Sequence, residues 1–256
     1  MNAGKGLIVP VCLLGIWEIA ANVSGSLSDN VVPPSTVLRA LWGMFSSGIL
    51  LDKTAQTLAS AGMGLVYGAV LGLAGGLVLG LSPRVARLLD APIELLRPMP
   101  SVALIPLAMM AFGFGIHMES AVVGFATFWP ILILVQGAVA SVDRRLIEVA
   151  DVLQLGYMAR VLKIVLPSVA PRLIVALRLA IGIALVVAVT VEIVANPYGL
   201  GYGLVTAQVA LKPAEMFGYL LWVGVLGWAL NLILVKTQGR LMAGLGLSSP
   251  QEGLPS

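Results

Sequence analysis

Few side chains in this chain have the chemistry to act on a substrate, and most of them crowd into one stretch. Between Ser141 and Pro171 stand Asp143, Arg144, Arg145, Glu148, Asp151, Arg160 and Lys163, seven of the chain's 15 basic and 12 acidic residues. Their order predicts a helix. Asp143 can accept from the free N–H groups of a first turn beginning at Arg144. From Arg144 to Leu153, the residues Arg144, Glu148 and Asp151 share a polar face, and Leu146, Val149, Ala150 and Leu153 an apolar one. Gln154-Leu155-Gly156 marks a turn, Tyr157 to Val165 a second short helix, and Leu166-Pro167 its end. An apolar face at a membrane surface is covered by another protein or lies on lipid headgroups that its arginines meet. The residues alone leave both open.

Other chemistry is poorly supplied. A phosphate-cradling loop needs glycines leading into a Lys-Ser/Thr pair before a helix. Lys53-Thr54 and Lys236-Thr237 have the pair without a glycine just before it. His117 is the single histidine and is expected in a solvent-exposed turn, and Cys12 is the single cysteine. With no Ser/His/Asp, paired-carboxylate or His-rich set in evidence, no catalytic, cofactor or metal site is expected. Glu192 stands near the end of an apolar run. A carboxylate deep in a bilayer costs on the order of 2–3 kcal/mol and faces protein or a cavity. It either lines a path or holds a structural hydrogen bond. Arg178, on the same run, lies ~21 Å away along a helix and cannot pair with it directly. Arg97 and Arg178 are expected to snorkel towards water, and Glu18 and Asn231 to bond between helices.

The elements that must position these residues are almost all apolar. Of 256 residues 59% are hydrophobic and 11% charged, with a mean hydropathy of +1.01. That is less than half the charge of an ordinary soluble domain, about a quarter of residues. The chain reads as an all-α integral membrane protein. The net charge of +3 forms no basic stripe, so no nucleic-acid partner is expected.

Six spans are expected. Leu7 to Val23 is the first, read as a retained helix rather than a cleaved leader because Glu18 interrupts it. Val32-Pro33-Pro34 breaks the chain, and Ser35 is placed to cap an interfacial helix, Thr36 to Phe45. Thr54 to Leu81 is the second span, with glycines at 64, 68, 72, 76 and 80 on one stripe. Such a stripe admits close packing of another helix, either static or as a moving interface. Ile93 to Phe112 is broken by Pro98, Pro100 and Pro106 and is expected inside the bundle, where protein or a water-filled cavity covers it. Glu119 to Val139, Arg172 to Ala195 and Met216 to Val235 complete the set, with a break at Asn196 to Gly203.

Charge sets the expected topology. With the N-terminus inside, the inner loops hold Lys5, Arg84, Arg87, Arg144, Arg145, Arg160, Lys163, Arg172, Lys236 and Arg240. The outer loops hold Arg39, Lys53 and Lys212. Both termini and the Ser141–Pro171 segment are thus expected in the cytoplasm.

The run from Glu148-Val149-Ala150 to Ile164-Val165-Leu166-Pro167 resembles the cytoplasmic signature of importer-type ABC transporter permeases: Glu-Ala-Ala, three residues, Gly, nine residues, Ile-x-Leu-Pro. Glu148, Ala150, Ile164, Leu166 and Pro167 fall on pattern positions. Val149 replaces the middle Ala, and Gln154 the glycine, with Gly156 two residues on. The runs Leu96 to Leu107, Ser141 to Leu146 and Tyr198 to Tyr202 look like the nitrate/sulfonate/taurine permease subfamily. The likeness extends over most of residues 54–240.

The resemblance implies a six-helix permease with a cytoplasmic coupling helix between spans four and five. It implies that Asp143, Arg144, Arg145, Glu148, Ala150, Asp151, Leu153, Gly156, Ile164, Leu166 and Pro167 couple to an ATPase. Pro98, Pro100, Glu192, Gly199 and Gly201 are the candidate path residues. The implied division of the chain is a first helix with an outer amphipathic segment (1–53), a five-helix core containing the coupling loop 141–171 (54–240), and a cytoplasmic tail (241–256). The implied partners are a second permease copy, two cytoplasmic ATPase subunits that use ATP and magnesium, an extracytoplasmic substrate-binding protein, and the bilayer of a bacterial inner membrane. The implied cargo is a small, anionic solute, with an amino acid as the alternative. An ATP-independent secondary transporter is the rival from another class. It would often show an internal repeat and charged midplane residues; no repeat is seen, and Glu192 is the one candidate of that kind.

Overall fold

The computed structural model describes residues 3–24 and 32–244; the expected tail beyond residue 244 lies outside them, as do the side chains of Arg144 and Asp151. Among the described residues there is no strand. The helices are α1 (Ala3–Ser24), α2 (Pro34–Ser46), α3 (Ile49–Leu81), α4 (Pro83–Leu96), α5 (Ile105–Phe112), α6 (Ile116–Ala140), α7 (Arg144–Val152), α8 (Tyr157–Arg160), α9 (Leu166–Val194), α10 (Gly199–Val209) and α11 (Pro213–Gly244). A 3₁₀ turn, Ser101–Leu104, precedes α5, and a π-turn, Val161–Val165, joins α8 to α9.

Among the described residues, four helical stretches are long and apolar enough to cross a membrane: Ile49–Leu81, Ile116–Ala140, Tyr157–Val194 and Pro213–Gln238. A fifth would be the pair Pro83–Leu96 and Ser101–Phe112, bent by 87°. In α1 the apolar stretch is shorter, Cys12–Asn22.

The scaffold is the pairing of α3 with α6, and the glycine stripe makes it. A Cβ on Gly64 would lie 2.5 Å from Val123 Cβ, and one on Gly76 2.7 Å from the Leu132 carbonyl oxygen. At Gly68 it would fall inside the Thr127 hydroxyl and 2.8 Å from the Gly124 oxygen. Bare backbone on one helix lets the other approach to contact, so dispersion accumulates along the whole length. The third member, α9, packs a four-residue row of small side chains, Ala176, Ala180, Ala184 and Ala188, into the same core. A second core joins α2, α3, α10 and α11 around Met44, Leu50, Leu200, Ala207 and Tyr219.

Several expectations are corrected. Ser35 is not an N-cap: α2 begins at Pro34 with Pro33 as its cap residue and no side-chain cap bond. Instead Ser35 N and Oγ donate to Glu18 Oε2 and Oε1 (3.0 and 2.8 Å), so α1 supplies the carboxylate for the positive end of α2. Leu166-Pro167 does not end the second cytoplasmic helix. The π-turn absorbs the proline: Leu166 N–H bonds Val161 O, five residues back, and the chain runs on helically to Val194. The glycine segment is not loop. The break is confined to Ala195–Tyr198, and Gly199 opens α10. Finally, the proline-broken stretch does not sit inside the bundle of one chain. Neither α4 nor the 3₁₀ turn buries a residue, and α5 buries only Ile105 and Ala108.

Candidate functional site

Three places gather polar chemistry. The first is the hairpin at one end of α6 and α9. Asp143 Oδ1 accepts from Arg145 N (2.9 Å), which caps α7. At its far end Leu155 N–H bonds Ala150 O (3.0 Å), and Gln154 takes φ +50°. This is a Schellman closure, with Gln154 at the left-handed position where glycine is usual. The turn is kept without the glycine, at a cost of backbone strain. Ala150 is fully buried, whereas Leu146, Val149 and Leu153 are 43, 52 and 63% exposed. Arg172, near the start of α9, donates to Gly137 O (3.3 Å) and to Ser141 Oγ, tying the C-terminal end of α6 to the hairpin's base. Of the predicted coupling residues, Gly156 precedes α8, Ile164 lies in the π-turn, and Leu166 and Pro167 start α9.

The second place is a cavity of about 530 Å³ between the 97–101 break, α6 and α9. Arg97, Met99 and Ser101 form one wall, Phe125, Trp129 and Pro130 another, and Leu179, Ile183 and Val187 the third. Pro98 and Pro100 flank Met99 in the chain but are not among the residues that line the cavity. Trp129 is 9% exposed and edge-packed against Phe125 and Phe128, with centroids 5.6 and 4.8 Å away. Its indole N–H is buried without an acceptor. A guanidinium and a hydroxyl at the edge of an apolar cavity suit a small anion with an apolar body. That the indole donor has no partner follows from the fold and not from the sequence. Arg178 lies elsewhere, donating to Asn231 Oδ1 (3.3 Å) and so linking α9 to α11.

The third place lies at the other end of α9. Glu192 is 1% exposed, as expected of a carboxylate facing protein, but its neighbour is Glu119, 2% exposed, in the first turn of α6. Sequence reasoning passed over Glu119 because it stands where a span begins. Ser60 Oγ donates to Glu119 Oε1 and Asn196 Nδ2 to Oε2. Around Glu192 three side chains receive the free first-turn N–H groups of α10. Gly199 N bonds Gln56 Oε1 (2.9 Å), Leu200 N bonds Thr57 Oγ1 (3.0 Å), and Gly201 N bonds Glu192 Oε2 (2.7 Å). Gly199 takes φ +86°, and any Cβ there would overlap the Glu192 carboxylate. Of the predicted path residues, Glu192, Gly199 and Gly201 therefore cluster here, apart from Pro98 and Pro100. Ten residues of α6, ~15 Å, separate Glu119 from Trp129.

Comparison with known proteins agrees with this architecture. Residues 40–242 match the family described as binding-protein-dependent transport system inner membrane component. The Bacillus subtilis protein named as an aliphatic sulfonates transport permease, SsuC, is 30% identical over 87% of this chain and 81% of its own. The nitrate import permease NrtB of Leptolyngbya laminosa is 26% identical over 90% and 84%. A solved structure of the MetNI methionine ABC transporter, inward facing, superposes with a TM-score of 0.66 at 19% identity, covering 77% of this chain and 95% of that one.

Proposed function

The chain belongs to the family of inner-membrane components of binding-protein-dependent transport systems, and on that footing we propose that it is the permease subunit of an ATP-driven importer of a small organic or inorganic anion. The observation that carries the substrate reading is the cavity that sets Arg97 and Ser101 against a largely apolar wall. Relatives named for sulfonates and for nitrate, both anions, support it.

The path forms between two copies of the chain. The surface that each offers is α4, the 3₁₀ turn and α5, where Leu107, Met110 and Phe112 are 66, 86 and 57% exposed in the single chain. With α1 included the chain has six spans, and both termini and the hairpin face the cytoplasm. There the exposed Leu146, Val149 and Leu153 dock on an ATPase subunit, one per permease copy. Asp143, Arg144, Arg145, Glu148 and Asp151 supply the polar side of that contact. ATP and magnesium belong to the ATPase, and a binding protein delivers the solute from outside.

ATP binding draws the two ATPases together, and the hairpins follow. Because Arg172 ties the end of α6 to α9 at the base of the hairpin, hairpin movement shifts two walls of the Arg97 cavity at once. That is a two-state element whose populations the nucleotide shifts. The test is uptake of labelled sulfonate or nitrate into vesicles holding the permease, its ATPase and its binding protein. Uptake that needs ATP and all three parts is expected, and uptake that persists without ATP or the ATPase would overturn the reading.

A further inference from the structure

We propose that Glu119 and Glu192 hold one proton between them, and that this proton is a pH-sensitive latch. It keeps α10 docked against α3 and α9 at the end of the bundle away from the hairpin.

The donors around the pair can be followed oxygen by oxygen. Glu119 accepts from Ser60 Oγ at Oε1 and from Asn196 Nδ2 at Oε2. Glu192 accepts from Gly201 N at Oε2 (2.7 Å), while its Oε1 is buried with no donor among the described residues. The Glu119 carboxyl lies within hydrogen-bond reach of the Glu192 carboxyl. Two ionised carboxylates repel at that range, and a proton between them turns the contact into a hydrogen bond. The orphan oxygen then has its donor, and the pair carries one charge instead of two. Glu192 is the better seat for that charge. It meets the positive end of α10, and Lys53 acts on it from the rim. Glu119 is met by two neutral donors. The proton therefore stands on Glu119 and is given to Glu192 Oε1.

One bond thus ties several elements. Gln56 and Thr57 of α3 hold Gly199 N and Leu200 N, and Glu192 holds Gly201 N. Glu119 holds Ser60 of α3 and Asn196 in the break. Without the proton, two like charges lie side by side on residues 2 and 1% exposed, a costly state that moving apart relieves. Glu192 cannot withdraw alone, because Gly199 is packed against its carboxylate and Gly201 is bonded to it. Separation of the pair therefore carries the first turn of α10 with it.

Protons have a way in. Both carboxyls line a cavity of about 450 Å³ with Ala55, Ala59 and Ile116, whose rim residues Ile116 and Tyr198 are 39 and 54% exposed. The other titratable groups near the pair are few. From α3 comes Lys53, its ammonium over the Tyr202 ring of α10 at 5.3 Å, with Asp52 farther out on Gln56 Nε2 (2.9 Å). The break brings Tyr198, and the exposed His117 of α6 lines neither this cavity nor its neighbour beside Tyr202.

Hydrogen exchange of the purified full-length chain in detergent, corrected for the intrinsic rate, reads the latch at Gly201. Opening the site releases the shared proton. Protection should therefore fall about tenfold per pH unit as pH rises, then level off once the closed pair has lost its proton. Glu119→Gln sets a permanent N–H donor where the proton stood and should hold protection constant over the same range. Glu94→Gln, on exposed α4, should fall as the wild type does. Wild-type protection that is independent of pH, or the same fall in Glu119→Gln, overturns the proposal. Should that variant fail to fold, infrared spectra of the wild-type chain decide. A protonated-carboxyl band at neutral pH that disappears in alkali is expected, and carboxylate bands alone overturn it.

Discussion

The backbone of Gly68 lies directly against the Thr127 side chain, whose hydroxyl occupies the space a Cβ on residue 68 would need. That contact sits midway along the α3–α6 pairing, with the Gly124 and Phe128 backbone on either side. Gly68→Ala is therefore expected to cost about 1–3 kcal/mol, read as a lowered thermal midpoint in detergent. Gly62, on the same helix with nothing within 4 Å of its Cβ position, provides the opposite sign. Gly62→Ala should be neutral or stabilise by up to about 1 kcal/mol through helix propensity alone. Equal effects at the two positions would mean that close packing is not what the stripe provides.

The left-handed Gln154 makes a second prediction. Gln154→Gly should relieve about 1 kcal/mol of backbone strain, part of it returned through the looser unfolded chain. Slower hydrogen exchange at Leu155 N–H, the group that closes the turn onto Ala150, is the readout. Gln154→Val should accelerate it, because a β-branched residue tolerates positive φ least.

The exposed apolar face of α7 gives a third. Val149→Glu or Leu153→Lys places charge on a surface that the described residues leave 52 and 63% exposed. Insertion and folding should be unaffected. Co-purification with the ATPase should weaken roughly tenfold or more, about 1.4 kcal/mol per decade. Unchanged co-purification would assign the face to lipid headgroups instead.

The fourth concerns the anion cavity. Arg97→Ala should raise the KM for transported anion about 10- to 100-fold, the value of a charge-assisted hydrogen bond. Arg97→Lys should restore part of the loss. Trp129→Phe keeps the edge-on aromatic packing but removes the N–H, and a several-fold rise in KM is expected. No change in either variant would place the solute elsewhere.

How much of this was legible in the residues depends on the range of the signal. The glycine row was legible because its spacing of four is a local property of one helix, although its partner α6 was not. The hairpin was legible from Asp143, the apolar set on α7 and the turn at Gln154. Its continuation past Pro167 was misread because a rule about proline in α-helices does not anticipate a π-turn. Glu192 announced itself as a carboxylate in an apolar run. Its relation to Glu119 did not, because the two are 73 positions apart in the chain. Such pairings depend on which helices meet. The break at Asn196 was visible as Asn-Pro, but that its amide would hold Glu119, and that Gly199 would begin a helix, required the packing of α10 on α3.

The π-turn also fixes a phase. Tyr157–Val194 is one rod of 38 residues, about 57 Å long. The extra residue in the π-turn offsets everything beyond it by about 100° from an uninterrupted α-helix. The hairpin is thereby clocked against the row Ala176, Ala180, Ala184 and Ala188 by that angle. Removing one residue from Val161–Val165 would let the stretch close into regular α-helix with the hairpin and the alanines both keeping their phase, whereas inserting one would turn the two ends against each other by about 100°. The stretch is therefore asymmetric towards changes in length: it can lose its spare residue silently, but cannot gain another without turning one end.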